Sequence, residues 1–258
     1  MPAAAVARLQ PRIVQIVPEP GQSARKFEIT CSNCNLRELC LPGTLCVEDL
    51  QRVEGLVYAR RRVKRGEALF NAGDAFNAIY SIRSGFLKTV VIDDNGREQV
   101  TGFFMGGELL GMEGIGAGRY HAAAVALEDS EVCVMPFSLI EQMAREIPAL
   151  QRRLHAVLAR EIVRDHGVMM LLGSMRAEER LATFLLNLSW RFTRRGYSPS
   201  DFHLRMTREE IGSYLGLKLE TVSRLFSRFQ QERLIEVQQK HVRILDIAGL
   251  KRIMNRPE

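Results

Sequence analysis

The hydrophobic pattern changes its period at Pro136, and this change constrains the fold more than any other feature of the sequence. Before it, short β-rich runs alternate with turn signals such as Asn95-Gly96, a dipeptide typical of hairpins. After it, apolar residues recur at helical spacing. The first part predicts an antiparallel sandwich or small barrel, the second a set of helices, and the whole chain an α+β fold.

The predicted strands are rich in β-branched or alternating apolar residues and end at turn signals. They are Arg62–Lys64, Ala68–Phe70, Ala78–Ile82, Gly85–Ile92, Glu98–Phe104, His121–Ala126 and Glu131–Pro136. A short helix is predicted before them, over Asp49–Ala59.

A short helix over Phe137–Arg145 and a long helix beginning at Pro148 follow, with Gly173 expected just past the end of the long helix. The long helix carries one apolar seam, whose members recur at steps of three or four: Leu150, Leu154, Leu158, Ile162, Asp165, Met169 and Leu172. We expect this seam to pair with a second copy as a parallel coiled coil, with packing on the chain's own β domain as the simpler alternative.

Asp165 places a carboxylate within this seam. If two copies of the helix pair, the two carboxylates approach each other and destabilise the pair. The alternatives at this point are a residue that sits at the rim in water and a dimer held near its dissociation point.

A helix-turn-helix is predicted near the C-terminus. Thr207 and Glu210 have the spacing of a capping box, which begins a helix over Arg208–Leu215. That helix stops at Gly216, and a second helix over about Leu219–Glu232 follows after a short turn.

Three further segments complete this part of the chain. A helix over 174–192 has Ser174 as its candidate cap, and Arg194–Phe202 is expected to be a loop. Ile235–Val237 and Val242–Leu245 predict a two-stranded ribbon.

The second helix of the motif begins with side chains that suit DNA. Arg224 can donate two hydrogen bonds to guanine, Glu220 can accept from cytosine, and Ser223 can reach a base edge or a phosphate. Phosphate contacts are assigned to Lys218, Thr221 and Arg228. The alternative is a helical hairpin in which Glu220 and Arg224 form a surface ion pair.

The charge of the chain supports a polyanionic partner. Residues 1–175 are neutral, and residues 176–258 carry the whole net charge of +6. A basic module on a neutral body favours duplex DNA. No apolar run reaches membrane length, and the first thirty residues lack the features of a secretory signal. We therefore expect a cytoplasmic protein without membrane contact.

Four of the five cysteines, Cys31, Cys34, Cys40 and Cys46, lie within sixteen residues, and Cys133 is far away in sequence. The odd number and the absence of a secretory signal argue against a disulfide framework. Spacing leaves zinc, an iron–sulfur cluster and free redox thiols open, with Cys46 or Cys133 as fourth ligand. By itself, Cys133 is expected to be a buried core thiol.

The sequence resembles the Crp/Fnr transcription regulators, and within them the oxygen-responsive Fnr branch with its Anr-like members. The resemblance covers about residues 30–250. Its motifs are the spacing of Cys31, Cys34 and Cys40, then Glu131-Val132-Cys133 before Pro136-Phe137, Ala177-Glu178-Glu179-Arg180-Leu181-Ala182, Tyr214-Leu215-Gly216-Leu217 and Glu220-Thr221-Val222-Ser223-Arg224-Leu225.

This resemblance implies a 4Fe–4S cluster held by Cys31, Cys34, Cys40 and Cys133, with Cys46 as a spare thiol. In the family, oxygen converts the cluster to 2Fe–2S and the dimer dissociates. Asp165 stands where the family has an aspartate that opposes dimerisation. The intact cluster is therefore expected to favour a dimer that controls genes of anaerobic metabolism.

The resemblance also implies a β-roll (a double-stranded jelly-roll) as sensor domain, a dimerisation helix and a winged helix-turn-helix. The expected divisions are 1–30 for an irregular arm, 31–136 for the cysteine segment and β-roll, 137–173 for the helices and 174–258 for the DNA-binding domain. Glu220, Ser223 and Arg224 match the readers of a TTGAT-N4-ATCAA-type palindrome. A loop with Asp93, Asp94 and Gly96 matches one contact with RNA polymerase.

Two departures from the family pattern stand out. Lys218 replaces a capping Thr or Ser, which weakens the start of the recognition helix. Asn35 follows Cys34 where some relatives have Ser, so the oxygen sensitivity of the cluster is expected to differ.

The phosphate-binding arginine of cyclic-nucleotide relatives is absent from Tyr120–Ala124, so no cyclic nucleotide is expected. The remaining alternatives are a different small molecule in the β-roll, such as haem, or a zinc-based constitutive regulator. The five histidines (His121, His155, His166, His203 and His241) form no close ligand pair, which argues weakly against haem. No nucleophile–base constellation is present, so an enzyme is not expected.

Overall fold

The computed structural model describes residues 31–57, 59–93 and 95–254. The expected arm, residues 1–30, and Asp94 lie outside these ranges. Within them the chain forms a β domain, a long helix and a C-terminal helical domain with a small sheet of its own. None of the described helices combines the length and the apolar character needed to cross a membrane.

Two antiparallel sheets form the β domain, which confirms the predicted sandwich. Their described strands are β1 Ala59–Val63, β2 Ala68–Phe70, β3 Ala78–Ser84, β4 Phe86–Ile92, β5 Glu98–Met105, β6 Leu109–Leu110, β7 Ala123–Ala126 and β8 Ser130–Pro136. One sheet has the order β1-β8-β3-β6 and the other β2-β7-β4-β5. Strand β8 is therefore an inner strand, paired on both sides, and β5 is an edge strand.

The helix predicted over Asp49–Ala59 is wrong in its second half. The structure has α1 at Val47–Arg52, a 3-10 turn at Glu54–Leu56, and β1 from Ala59. Pairing of β1 with β8 draws the chain into an extended conformation there, and this long-range contact overrides the local helical pattern. A further short helix, α2 Gly114–Ala117, was not predicted.

Gly85 joins β3 to β4 where β8 passes close to the backbone. Its φ is +96°, and a Cβ atom added there would lie 2.7 Å from the Cα of Ser130. Only glycine fits both the left-handed conformation and the available space.

The long helix α4 spans Pro148–Ser174 and follows α3, Phe137–Glu146. Pro148 occupies its first turn, as predicted. The expected end at Gly173 is wrong, because the helix continues through it until Met175 turns extended. Its 27 residues correspond to about 40 Å.

Ser174 does not cap the next helix, because its hydroxyl donates to the carbonyl oxygen of Met170 within α4. The next helix, α5, begins at Ala177 and ends at Thr193. Its N-terminus is closed by Glu179, whose carboxylate accepts from the backbone N–H of Arg176 at 2.8 Å.

The C-terminal domain confirms the predicted helix-turn-helix and ribbon. Its described elements are α5, β9 Asp201–His203, α6 Arg208–Leu215, α7 Leu219–Gln231, β10 Ile235–Gln238, β11 His241–Ile244 and α8 Ile247–Met254. Strand β9 and helix α8 were missed by the sequence analysis. Strand β9 lies in the expected loop and is recognisable only by its pairing with β11.

The C-terminal domain packs directly on the β domain. Helix α6 covers the open edge of β5, where the Val100 N–H donates to the hydroxyl of Ser213 at 2.8 Å. Lys88 of β4 pairs with Glu210 of α6 at 2.8 Å, with both side chains mostly buried. A single apolar cluster runs from Phe103 in β5 to Phe184 in α5. The two domains are thus docked by apolar, backbone and charged contacts together.

Glu108 lies at the centre of this junction. Its carboxylate pairs with Arg191, in the last turn of α5, at 2.5 Å and with Arg195, just after α5, at 2.7 Å. Burial works to raise the pKa of the Glu108 carboxyl, but the two guanidinium groups outweigh it and hold the pKa below its usual value. The carboxylate therefore stays charged and bridges the two domains.

We expect Gly85→Ala to lower the free energy of unfolding by about 3 kcal/mol, because the new methyl group meets the backbone of β8 and the left-handed conformation is strained. Urea unfolding measures the loss. Gly66→Ala is the matched control: Gly66 also has positive φ, +81°, but has open space around its Cβ position, so only about 1 kcal/mol is expected. Equal losses in the two variants would contradict the close approach at Gly85.

We expect Glu108→Gln to lower the free energy of unfolding by about 3 kcal/mol at neutral pH, because two mostly buried guanidinium groups lose their partner. A depressed pKa contributes stability above the unfolded-state pKa of about 4.3, and this contribution is lost as the pH falls. The difference between wild type and Glu108→Gln should therefore shrink below about pH 4.

Thermal melts between neutral and acid pH test this expectation. Glu98→Gln, an exposed change on β5, is the control and should leave the profile unchanged. A Glu108→Gln profile parallel to that of wild type at every pH would show that the bridge does not stabilise the fold.

Candidate cysteine centre and nucleic-acid interface

Four cysteines line one small apolar cavity in the β domain. Cys31, Cys34 and Cys40 come from the irregular segment before α1, and Cys133 comes from β8. Consecutive turns curl the segment, with the Cys34 N–H bonded to the Cys31 carbonyl and the Cys40 N–H to that of Arg37. The structure thus places Cys133 beside Cys31, Cys34 and Cys40, although it is distant from them in sequence. Cys46 is exposed and does not line the cavity.

Burial controls the chemistry of these thiols. It raises the pKa of Cys40, against a lowering hydrogen bond from its own Sγ to the Ser81 hydroxyl at 3.1 Å. Burial, with the neighbouring Cys40, raises the pKa of Cys133 to about 11. Both thiols are therefore protonated at neutral pH in the chain alone, and binding of a metal centre has to displace these protons.

The donor set fits a thiolate-ligated centre. The cavity is lined by sulfur and apolar side chains with Arg37, Ser81 and Arg83, and none of the described residues contributes a carboxylate or an imidazole to it. Soft thiolates are the ligands preferred by iron–sulfur clusters and by structural zinc. Among the described residues, no group of three or more His, Cys, Asp or Glu side chains is already arranged to hold a metal ion.

The apolar seam of α4 is divided between two environments. Leu150 is fully buried and Leu154 is 9% exposed, because both pack in the chain's own core with the cysteine segment and α1. Assignment of these two residues to a dimer surface is therefore corrected: they have no surface left for a second copy. Leu158 is half-buried against the same core.

The C-terminal half of α4 carries several exposed apolar side chains. Ile162 and Met169 are 57% and 63% exposed, and Leu172 is 37% exposed. Val163 and Met170, which the sequence analysis missed, are exposed as well and also lie seven residues apart. This seven-residue repeat is the sequence signal from which both residues could have been predicted. Asp165 lies within the exposed stretch.

The helix-turn-helix has the geometry its residues predict. The N–H of Glu210 donates to the Thr207 hydroxyl at 3.1 Å, and the N–H of Thr207 donates to the Glu210 carboxylate at 2.7 Å. Gly216 ends α6 with φ of +63°. Helix α7 begins after Lys218, whose side chain makes no capping hydrogen bond, in agreement with the weak cap expected there.

Helix α7 has a buried face and an exposed face. Val222 and Phe229 are fully buried, whereas the base-reading candidates Glu220, Ser223 and Arg224 are all exposed. The alternative surface ion pair between Glu220 and Arg224 is not among the ion pairs of the described residues. These side chains are free to approach a DNA groove.

The phosphate candidates differ in availability. Lys218 is exposed and Thr221 is half-buried at the start of α7. Arg228 pairs with Glu178 at 2.5 Å and with Glu232 at 2.8 Å, so its guanidinium is already occupied in this structure. A phosphate contact by Arg228 requires these two ion pairs to open.

The hairpin between β4 and β5 carries the remaining candidate site. The carboxylate of Asp93 accepts from the N–H groups of Asn95 and Arg97 at 2.9 and 2.8 Å, and Gly96 has φ of +77°. Asp93 therefore shapes the turn, and Gly96 permits it. Asp94 is outside the described residues.

Comparison with known protein families divides the chain at the same place as the structure. Residues 60–146 match the family model of a cyclic nucleotide-binding domain, and residues 179–253 match that of a Crp-like helix-turn-helix domain. The two matches cover the β domain with α3, and the helix-turn-helix with its flanking elements.

Individual proteins are similar over most of the chain. The transcriptional activator protein Anr of Pseudomonas aeruginosa is 47% identical over 85% of this chain and 90% of its own length. The fumarate and nitrate reduction regulatory protein of Salmonella typhimurium is 41% identical over 84% of this chain and 86% of its own. Among solved structures, FixK2 from Bradyrhizobium japonicum matches with a TM-score of 0.71 and 27% identity, covering 78% of this chain and 98% of that protein.

The relatives are transcription regulators, which confirms the expectation that the chain is not an enzyme. The long shared length, the two matching domains and the docked architecture agree with one another. The chain belongs to the Crp/Fnr family of transcription regulators.

Proposed function

We propose that this protein is an oxygen-sensing regulator of anaerobic genes, which binds DNA as a dimer when Cys31, Cys34, Cys40 and Cys133 hold a 4Fe–4S cluster. The observation that carries the proposal is the cavity in which all four cysteines meet, although Cys133 lies far from the others in sequence. The similarity to Anr and to the fumarate and nitrate reduction protein supports the anaerobic role.

The cluster, when bound, supplies an oxygen-labile centre at the boundary of the cysteine segment and β8. The chain's own residues do the rest. Four thiolates from two separate elements hold the segment against the sheet, and the hydroxyl of Ser81 lies within hydrogen-bond distance of the Cys40 sulfur. Loss of these ligand bonds frees the segment from β8.

Dimerisation uses the exposed half of α4. Ile162 and Met169, with the neighbouring Val163 and Met170, form an apolar stripe whose burial by a second copy is favourable. Asp165 opposes this pairing, because two carboxylates meet near the two-fold axis. A dimer balanced in this way responds to a modest change in the order of the sensor domain.

The dimer presents two copies of α7 to a palindrome. Half-sites one helical turn apart, about 34 Å, suit two recognition helices related by a two-fold axis. Arg224, Glu220 and Ser223 read base edges of a TTGAT-N4-ATCAA-type site, and Lys218 and Thr221 contact phosphates. The β4–β5 hairpin with Asp93, Asp94 and Gly96 contacts RNA polymerase, and the protein works in the cytoplasm.

The alternative of a small molecule in the β-roll finds less support. A cavity of about 530 Å³ lies between the β domain and α4, but its charged lining has Glu113, Glu161 and Asp165 against Arg164. The Glu108 carboxylate is already paired with Arg191 and Arg195, so these two guanidinium groups are not available to an anionic ligand. An anionic nucleotide is therefore disfavoured, and we propose that none is bound.

A haem or zinc sensor also fits less well. His203 and His241 lie close together, with ring centroids 4.7 Å apart, which corrects the expectation that no histidines pair. They belong to the C-terminal sheet rather than to the β-roll, so they provide no haem site in the sensor domain. Zinc suits the same four cysteine thiolates, and metal analysis distinguishes it from the proposed iron–sulfur cluster.

Anaerobically purified protein is expected to contain about four iron and four sulfide per chain, as a 4Fe–4S cluster requires. Air should bleach its visible absorbance while the mass in solution falls from dimer to monomer. Cys133→Ser should lose the iron, because one of four ligands is removed. Cys46→Ser, at the exposed thiol, is the matched control and should retain it.

Zinc in place of iron, or a mass indifferent to air, would refute the oxygen switch and leave a DNA-binding regulator. Equal iron content in Cys133→Ser and Cys46→Ser would refute the ligand assignment. Iron, sulfide and zinc assays with sedimentation in sealed cells provide all of these readings.

Arg224→Ala is expected to weaken binding to the palindrome by about 1–3 kcal/mol per half-site contact while leaving non-specific binding nearly unchanged. Lys218→Ala should weaken both kinds of binding and reduce the salt dependence by about one ion per chain. Anaerobic titration of labelled duplexes at several salt concentrations measures both effects. Arg252→Ala, at an exposed arginine of α8, is the control. Loss of affinity in Arg224→Ala that is equal for all sequences would contradict base reading.

A further inference from the structure

Arg153 of α4 is buried in an unusual way for a charged residue. It is 4% exposed, which makes it the most deeply buried Lys, Arg, Asp or Glu of the described residues. Burial of a cation is unfavourable unless hydrogen bonds or an opposite charge compensate it. Its neighbour Arg152, on the same helix, is exposed.

The guanidinium of Arg153 reaches the cysteine segment. Its Nη2 donates to the carbonyl oxygen of Cys40 at 2.9 Å and to that of Glu38 at 3.1 Å, across more than one hundred residues of sequence. No carboxylate pairs with it among the described residues, and its buried Nε has no hydrogen-bond partner. The bridge therefore joins α4 to the backbone of the cysteine segment itself.

A second guanidinium, that of Arg60, also has a buried Nε without a partner. Arg60 of β1 lies opposite Cys133 in the strand register, and its Nε is also buried without a hydrogen-bond partner. Two cations with a buried, unpartnered Nε thus lie next to cysteines of the cavity, Arg153 at the Cys40 carbonyl and Arg60 opposite Cys133. Such a setting suits a group whose thiolate ligands carry negative charge.

The position of Arg153 along α4 gives the bridge a mechanical consequence. Asp165 and the exposed apolar stripe follow on the same continuous helix, and Asp165 lies 12 positions after Arg153, a distance of about 18 Å along the helix. A helix transmits a displacement at one end to the other, because its backbone hydrogen bonds resist bending. A shift of the Cys40 carbonyl therefore acts on the helix that pairs.

We propose that Arg153 is a positioning residue that couples the state of the cysteine segment to the pairing of α4. This inference rests on the proposed function, since it concerns how the cysteine centre controls the dimer. With Cys31, Cys34, Cys40 and Cys133 drawn together, the carbonyl groups of Glu38 and Cys40 are held in place and Arg153 anchors α4 against them. With the segment released, the anchor is lost.

The test compares the dimer dissociation constant of cluster-loaded and cluster-free protein, measured anaerobically by sedimentation. The ratio of the two constants is the coupling. Arg153→Gln is expected to reduce this ratio by roughly tenfold or more, since two hydrogen bonds from a charged donor are removed. Arg152→Gln, the same change at the exposed neighbour, should keep the wild-type ratio.

Two further readings do not depend on activity. In cluster-loaded protein, hydrogen exchange at residues 36–43 should be faster in Arg153→Gln than in Arg152→Gln, because the segment loses its tie to α4. Arg153→Lys, which keeps the charge and can still donate to a carbonyl, should give an intermediate ratio. This variant carries the test if Arg153→Gln does not fold.

A wild-type ratio in Arg153→Gln, or unchanged exchange at residues 36–43, would overturn the inference while the cluster proposal stands. Wild-type protein that takes up no iron and sulfide would overturn both. The two failures are therefore distinguishable, because the first appears only in the variant and the second already in the wild type.

Discussion

The packing of the N-terminal half of α4 against the β domain is the interaction on which the rest of the structure depends. Leu150 and Leu154 are buried there with residues of the cysteine segment, so one end of a helix of 27 residues is fixed to the β domain. The other end remains exposed and apolar. The same helix therefore contacts the backbone of Cys40 through Arg153 and exposes Ile162 and Met169 in its other half. In our proposal, this continuity links the cysteine segment to pairing with a second copy.

The second constraint is the docking of the C-terminal domain on the edge of β5. An open sheet edge presents unpaired backbone groups, and Ser213 of α6 satisfies one of them while Glu108 binds two arginines. Desolvation strengthens these charged contacts. It also makes removal of one partner strongly destabilising, because the other charge is left buried and unpaired. Placement of α7 therefore depends on contacts far from its DNA-facing side chains.

Local patterns were sufficient for much of the C-terminal domain. The capping box at Thr207, the glycine at the turn and the alternation of buried and exposed residues on α7 are short-range features, and the structure confirms each. Strand β9 and the true extent of α1 escaped prediction because they depend on pairing with β11 and on the start of β1. Such contacts leave little trace in a window of ten residues.

The same division applies to the candidate site. The sequence by itself determined which residue types are present, namely three closely spaced cysteines, a distant fourth and an apolar seam with Asp165, because composition and spacing are local properties. Only the tertiary structure decided that Cys133 lies beside the cysteine segment and that Arg153 bonds to the Cys40 carbonyl. It also decided that Leu150 and Leu154 are buried in the chain's own core. The physical reason is that burial and hydrogen bonding between elements depend on how the sheets and helices pack, and many arrangements share one local pattern.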